Sequence, residues 1–263
     1  MNNKFPSELR FDIISEDWVI IAKTRKKLPK VHKTKKEPSF KISPKDCPFC
    51  NIKGQLPPKL IFAKGQKILP KHNSKIPPNW TTIVIPNKYP ALIPARKILE
   101  KKEGKFFKIL KGVGYCELVV TRDHEKHFPL FEVSQIKEVI DAYQERYQAL
   151  KQKPFVKYIS IFHNHGPTAG ASQPHPHSQI ITTPLIDNDL KKALEKAKKY
   201  YESYQKCIYC EMNEWEMKVK KRIVVENELF LAICPFASKS AFQVIVSPKP
   251  HLSYFQTSDG KNL

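Results

Sequence analysis

Residues 164–179 read NHGPTAGASQPHPHSQ and hold two of the chain's eight glycines and three of its nine histidines. His175 and His177 are two apart, so an extended strand sends both imidazoles from one face, with Gln179 continuing the row. Such a row can present a ring nitrogen to phosphorus. Neutral imidazole is basic enough to attack near neutral pH, and the phosphoramidate it forms is reactive enough to pass a nucleotidyl group onward. Attack requires the proton on one ring nitrogen and the lone pair on the other, a tautomer that a main-chain carbonyl near His175 can fix. Gln179 adds an uncharged donor for a nonbridging phosphate oxygen. Pro176 fixes φ and removes an amide donor, which suits an edge strand or a strand's first residues. The competing reading is a histidine-bearing loop without chemistry. Few structural reasons would gather two histidines, an amide, a serine and small residues here.

Two Cys-x-x-Cys pairs, Cys47/Cys50 and Cys207/Cys210, are the second chemical signal. Two thiolates across a tight turn make half of a tetrahedral zinc site. A redox dithiol or ordinary core cysteines remain open for the first pair, although no thioredoxin-like βαβ context surrounds it. Cys116 and Cys234 fall in apolar strand contexts and read as buried small hydrophobes.

The elements that must carry these residues are partly visible. Apolar runs predict strands at about 10–22, 81–86, 116–121, 156–163, 177–183, 222–225, 229–233 and 242–247. From Ser134, a candidate N-cap, Ile136, Val139, Ile140, Tyr143, Tyr147 and Leu150 line one helical face. From Asp187, Leu190, Leu194, Ala197, Tyr201 and Tyr204 do the same, and both stripes are expected to pack on a sheet. Stretches 26–45 and 53–79, rich in proline and lysine, read as long surface excursions. A coarse repeat also appears. Cys47 to Cys50, Asn87 and a strand leading to His124 are echoed by Cys207 to Cys210, Asn227 and a strand leading to His251.

Composition bounds the rest. The chain's 263 residues, 41% hydrophobic, can bury a full core in one large domain or two small ones. No apolar run is long enough to cross a bilayer, and MNNKFPSELR lacks a signal peptide's apolar stretch, so no membrane role and a cytoplasmic location are expected. The net charge of +21 would attract nucleic acid nonspecifically. Its lysine runs lie in a proline-rich loop and on a helix face without interleaved stacking aromatics, so solvated surface is the better reading and nucleic acid is not the expected partner. His163-Asn164-His165 is no nuclease signature, because that motif spreads its residues over a longer finger.

The HPHSQ segment resembles the active-site motif of galactose-1-phosphate uridylyltransferases, a branch of the histidine-triad superfamily in which glutamine replaces the third histidine. Pro86-Asn87-Lys88-Tyr89-Pro90-Ala91-Leu92 is similar to the family's nucleoside-binding segment, and Asp17-Trp18-Val19 with Arg25 to its N-terminal strand and phosphate-binding basic residue. The resemblance spans about residues 10–255. It implies an α+β fold of two histidine-triad-like units sharing an extended, mostly antiparallel sheet. The first unit is 1–186 with the zinc site and catalytic row, and the second, 187–263, is incomplete at its C-terminal end. It implies His177 as nucleophile with Gln179 assisting, and Cys47, Cys50, His124 and His175 as ligands of a structural zinc. Cys207, Cys210 and His251 form a possible second site by the repeat. Asn164 and Ser172 match positions that contact phosphate or sugar, Gly166, Gly170 and Ala171 leave room for close backbone approach, and Arg25 is the phosphate clamp. Where the family has a second arginine this chain has Leu28, so Lys26 or Lys27 would have to substitute.

The expected activity is a UDP-glucose:hexose-1-phosphate uridylyltransferase, ping-pong through a uridylyl-histidine, acting on nucleotide-sugar and sugar-phosphate substrates, with a homodimer implied by the resemblance. Two rivals stand beside it: an adenylyltransferase like ADP-glucose phosphorylases, and a catalytically impaired, basic zinc-binding interaction protein.

Overall fold

A computed structural model of the chain describes residues 5–22, 41–71 and 74–257. It divides into two compact units, Met1–Asp187 and Asn188–Leu263.

The first unit is built on a six-stranded antiparallel sheet of β3 (Leu60–Ala63), β4 (Gln66–Ile68), β5 (Trp80–Pro86), β8 (Cys116–Thr121), β9 (Tyr158–His163) and β10 (His177–Thr183), in the order β4-β3-β5-β8-β10-β9. Period-two alternation sorts its residues into two cores. Ile61, Ile83, Ile85, Leu118 and Val120 meet Cys47, Phe49 and Ile52 on one face. Leu60, Phe62, Val84, Val119 and Ile180 meet α1 (Val133–Lys151) on the other, through Val139, Ala142, Tyr143 and Leu150. Every residue of β8 is buried because strands flank it on both edges and a core covers each face. A second, four-stranded sheet in the order β2-β1-β7-β6 joins β1 (Ser7–Phe11) and β2 (Trp18–Ala22) to β6 (Glu100–Glu103) and β7 (Phe107–Lys111).

Several expectations need correction. The strand expected over 10–22 is a hairpin: Asp12 Oδ1 accepts from the amides of Ile14 and Ser15, and Glu16 takes a positive φ, which turns the chain back. The 53–79 excursion contains β3, wholly buried, and β4, joined by Lys64-Gly65 with φ of 51° and 73°, the two-residue turn whose twist matches paired strands. Helix α1 begins at Val133 after Glu132, so Ser134 lies inside it and does not cap it.

In the second unit, α2 (Asn188–Tyr204) and α3 (Ile208–Val219) precede a three-stranded antiparallel sheet, β11 (Ile223–Glu226), β12 (Phe230–Ile233) and β13 (Ile245–Pro248). The stripe on α2 does not pack on a sheet. No α2 residue is buried, and Tyr200 instead packs tilted against Tyr204 and donates to Glu211 of α3 at 2.5 Å. Cys234 is exposed, one residue past the buried end of β12. The described strands form three sheets, and in the second unit β12 pairs antiparallel with both β11 and β13.

Candidate active site and metal centre

The segment before η-turn residues 52–54 folds tightly around Cys47 and Cys50. The Cys47 amide donates to the Ser43 carbonyl at 2.9 Å, and Asn51 Nδ2 donates to the carbonyls of Lys45 and Cys47 at 2.7 and 2.9 Å. His124 follows the end of β8 in a turn held by Asp123 Oδ1, which accepts from the amides of Glu125 and Lys126. His175 arrives from the loop entering β10. The four side chains converge. Cys50 Sγ lies 3.2 Å from His124 Nδ1, Cys47 Sγ lies 3.4 Å from His175 Nδ1, and the two Nδ1 atoms are 3.2 Å apart.

Protons decide what this cluster can be. His124 Nε2 is 2.9 Å from the Ile42 carbonyl and His175 Nε2 is 2.8 Å from the Thr121 carbonyl. Carbonyls only accept, so both Nε2 atoms carry hydrogen, and in neutral rings both Nδ1 atoms turn lone pairs inward. Burial pushes His175 down to about 4, against the opposing effect of its bond to Thr121, so that ring is neutral at pH 7. Two inward lone pairs at 3.2 Å repel unless something positive lies between them. With two thiols alongside, all four ligand atoms lie within 4.8 Å of one another, an arrangement that can hold a metal ion. Backbone acceptors on the outer ring nitrogens are what orient metal-binding imidazoles. Without an ion, burial and the neighbouring Cys47 raise the Cys50 thiol to about 11.

His177 is the first residue of β10 and is buried. Its Nδ1 donates to the His175 carbonyl at 2.9 Å, which leaves the lone pair on Nε2. Burial lowers its pKa, partly offset by that hydrogen bond, so the ring is neutral at pH 7. Phe49, between the two cysteines, packs on His177 with centroids 5.0 Å apart and so ties the metal-type cluster to this imidazole. Gln179 shares the strand face with His177 and is half-buried.

Other candidates are placed as follows. Asn164, Gly166 and Ser172 lie on the loop from β9 to β10, where Gly166 and Gly170 have φ of 77° and 79°, conformations that favour glycine. The Ala171 amide donates to the Gly166 carbonyl, closing that loop. Asn87 follows β5, and its Oδ1 accepts from the Tyr89 amide at 2.9 Å, which fixes the orientation of the side chain. Arg25, Lys26, Lys27 and Leu28 lie outside the described residues. In the second unit Cys207 precedes α3 and Cys210 sits in its first turn. Cys210 Sγ is 3.2 Å from Nδ1 of His251, and the three side chains form a second group that can hold a metal ion. Sequence reasoning missed Tyr143, Ser178 and His163, which meet by hydrogen bonds behind β10. The serine inside the histidine row was the available signal.

The fold and site define a mixed α/β protein with antiparallel sheets, in which a two-cysteine, two-histidine group adjoins a buried, tautomerically fixed histidine. Comparison with known proteins makes this specific. The family model for the galactose-1-phosphate uridyl transferase N-terminal domain matches residues 1–187. A galactose-1-phosphate uridylyltransferase of Thermotoga maritima is 32% identical over 94% of this chain and 68% of its own length. An ADP-glucose phosphorylase of Arabidopsis thaliana is 30% identical over 98% of this chain and 70% of its own length. Among solved structures, a uridylyltransferase aligns with TM-score 0.69 at 21% identity, covering 97% of this chain and 70% of the other. The Arabidopsis ADP-glucose phosphorylase with bound ADP-glucose aligns with TM-score 0.64 at 29% identity, covering 96% and 71%. The chain belongs to the galactose-1-phosphate uridylyltransferase family.

Proposed function

We propose that the protein is a UDP-glucose:hexose-1-phosphate uridylyltransferase. His177 Nε2 attacks the α-phosphorus of UDP-glucose, forming a P–N bond as the P–O bond to the sugar phosphate breaks. Glucose 1-phosphate leaves with that electron pair. In the second half-reaction a phosphate oxygen of galactose 1-phosphate attacks the same phosphorus, and the P–N bond breaks to return neutral His177. Gln179 donates to a nonbridging oxygen as charge moves, an interaction commonly worth a few kcal/mol of barrier. The observation that carries this reading is the hydrogen bond from His177 Nδ1 to the His175 carbonyl, which leaves the nucleophilic lone pair on Nε2.

Zinc fits the first cluster, since two thiolates and two imidazoles with backbone-anchored outer nitrogens match its preferred ligands. Cys47, Cys50, His124 and His175 would hold it, and as a four-ligand set they would give it a structural role. Bound there, it would anchor His175, whose carbonyl sets the tautomer of His177. Asn87, Asn164, Gly166, Ser172 and Arg25 are proposed to hold substrate. The reading extends to two histidine-triad-like units, 1–186 and 187–263, a homodimer, and a reducing cytoplasmic setting that keeps the thiols available. Among the described residues no helix is long and apolar enough to cross a membrane.

The Arabidopsis relative, similar over 98% of this chain, supports a second reading with adenine in the nucleotide and inorganic phosphate as acceptor. Adduct yields from UDP-glucose and ADP-glucose, measured side by side, separate the two. Release of no glucose 1-phosphate, together with strong salt-sensitive nucleic-acid binding, would instead favour a basic zinc-binding interaction protein.

A further inference from the structure

Ser178 lies between His177 and Gln179 in sequence, but its side chain leaves β10 on the opposite face. There its buried hydroxyl sits 2.6 Å from the Tyr143 hydroxyl of α1 and 3.1 Å from Nδ1 of His163 on β9. None of the three belongs to the Cys47 cluster. Burial raises the Tyr143 phenol to about 12 and lowers His163 to about 4, so both are neutral at pH 7. Both contacts are satisfied when Tyr143 donates to Ser178 and Ser178 donates to the Nδ1 lone pair of His163.

This chain joins three elements at one hydroxyl. The strand ladders already set Ser178 opposite Val119 of β8 and His163 of β9. They fix register but tolerate differences of tens of degrees in twist between strands. A rotation of β10 swings His177 and Gln179 together on the far face, and reacting groups must be held to roughly 10–20° of the productive geometry. A tie from the strand's reverse face to the helix resists that rotation. The cavity bordered by Phe128, Phe131, Val139, His163, His177 and Ser178 is only about 10 Å³, near the lower limit for a single water. Little free space borders the Ser178 hydroxyl, so the network bears on β10 itself.

We infer that Tyr143, Ser178 and His163 are positioning residues, a reverse-face clamp that sets the rotation of β10 and thereby the aim of His177 and Gln179. The inference rests on the nucleotidyl-transfer reading. Tyr143→Phe removes one hydroxyl and keeps the ring, His163→Ala removes the acceptor, and His163→Asn returns an acceptor oxygen near the place of Nδ1. In single-turnover experiments on the full chain with UDP-glucose and, separately, ADP-glucose, Tyr143→Phe and His163→Ala are expected to slow adduct formation about tenfold, with KM changed less than about twofold and His163→Asn recovering most of the rate. Unchanged rates in both variants, or a lower melting temperature with an unchanged rate per active site, would overturn the clamp. A readout independent of turnover is the ¹⁵N spectrum of His163. It is expected to show the Nε2–H tautomer, with an Nδ1 shift that responds to Tyr143→Phe. Absence of adduct in the wild type defeats the nucleotidyl-transfer reading, and an Nδ1 shift indifferent to Tyr143→Phe defeats the clamp.

Discussion

The two Cys-x-x-Cys clusters begin alike and end differently. In each, the second cysteine's sulfur lies 3.2 Å from Nδ1 of a histidine that follows a strand end, Cys50 with His124 after β8 and Cys210 with His251 after β13. The first gains His175 from a residue 125 positions beyond Cys50, and backbone carbonyls lock both of its imidazoles. The second offers three ligands among the described residues, and its exposed His251 meets the Ser253 hydroxyl at 3.0 Å. A hydroxyl donates or accepts, so it fixes no tautomer. The lesson is that a triangle of two thiols and an imidazole needs only a tight turn beside a strand end, whereas a preorganised four-ligand group needs a residue from far along the chain and buried acceptors.

The largest expected effect lies at the histidine adjoining the first cluster. His177→Ala is expected to reduce nucleotidyl transfer by about 10⁴-fold or more, as loss of a covalent nucleophile does, measured as sugar-phosphate release. Next comes stability. Cys47→Ser breaks a buried four-ligand set and is expected to cost several kcal/mol in zinc-loaded protein, whereas Cys207→Ser, at a more exposed three-ligand group, should cost about 1 kcal/mol or less. Denaturant unfolding of the two variants checks this, and equal losses would erase the distinction between the clusters. A colorimetric chelator should then withdraw metal in two phases, the Cys207 cluster first and the buried Cys47 cluster last, with Cys210→Ser removing the fast phase.

The smallest effect is in pH. His163 has a folded-state pKa of about 4 against an ordinary 6.5, so the unfolded chain binds more protons between those values. Its contribution to stability is therefore complete above pH 6.5 and is lost as pH falls toward 4. Thermal melts over that range should fall less steeply in His163→Asn than in the wild type.

Much of this was legible in the sequence where a period could be counted. The strand bearing His177 and Gln179 and the apolar stripe of α1 follow directly from spacings of two and of three to four, whereas His175 falls in the loop just before that strand. Four-residue β3 hid among prolines and lysines, and its cue was the Lys64-Gly65 turn. The stripe on α2 misled because periodicity marks a face without saying what covers it. Cys47 and Cys50 marked themselves by spacing as half of a candidate metal site, while His124 and His175 entered through family resemblance, since no local rule joins residues so far apart. Tyr143 read as core packing, and only the tertiary meeting with Ser178 reveals its polar end.

The most direct test mixes the zinc-loaded protein with UDP-glucose, quenches it, and maps the covalent adduct by mass spectrometry. We expect one uridylyl group on the peptide containing His177, formed as glucose 1-phosphate is released. Substrate binding without any adduct, or an adduct on a different residue, would contradict the account.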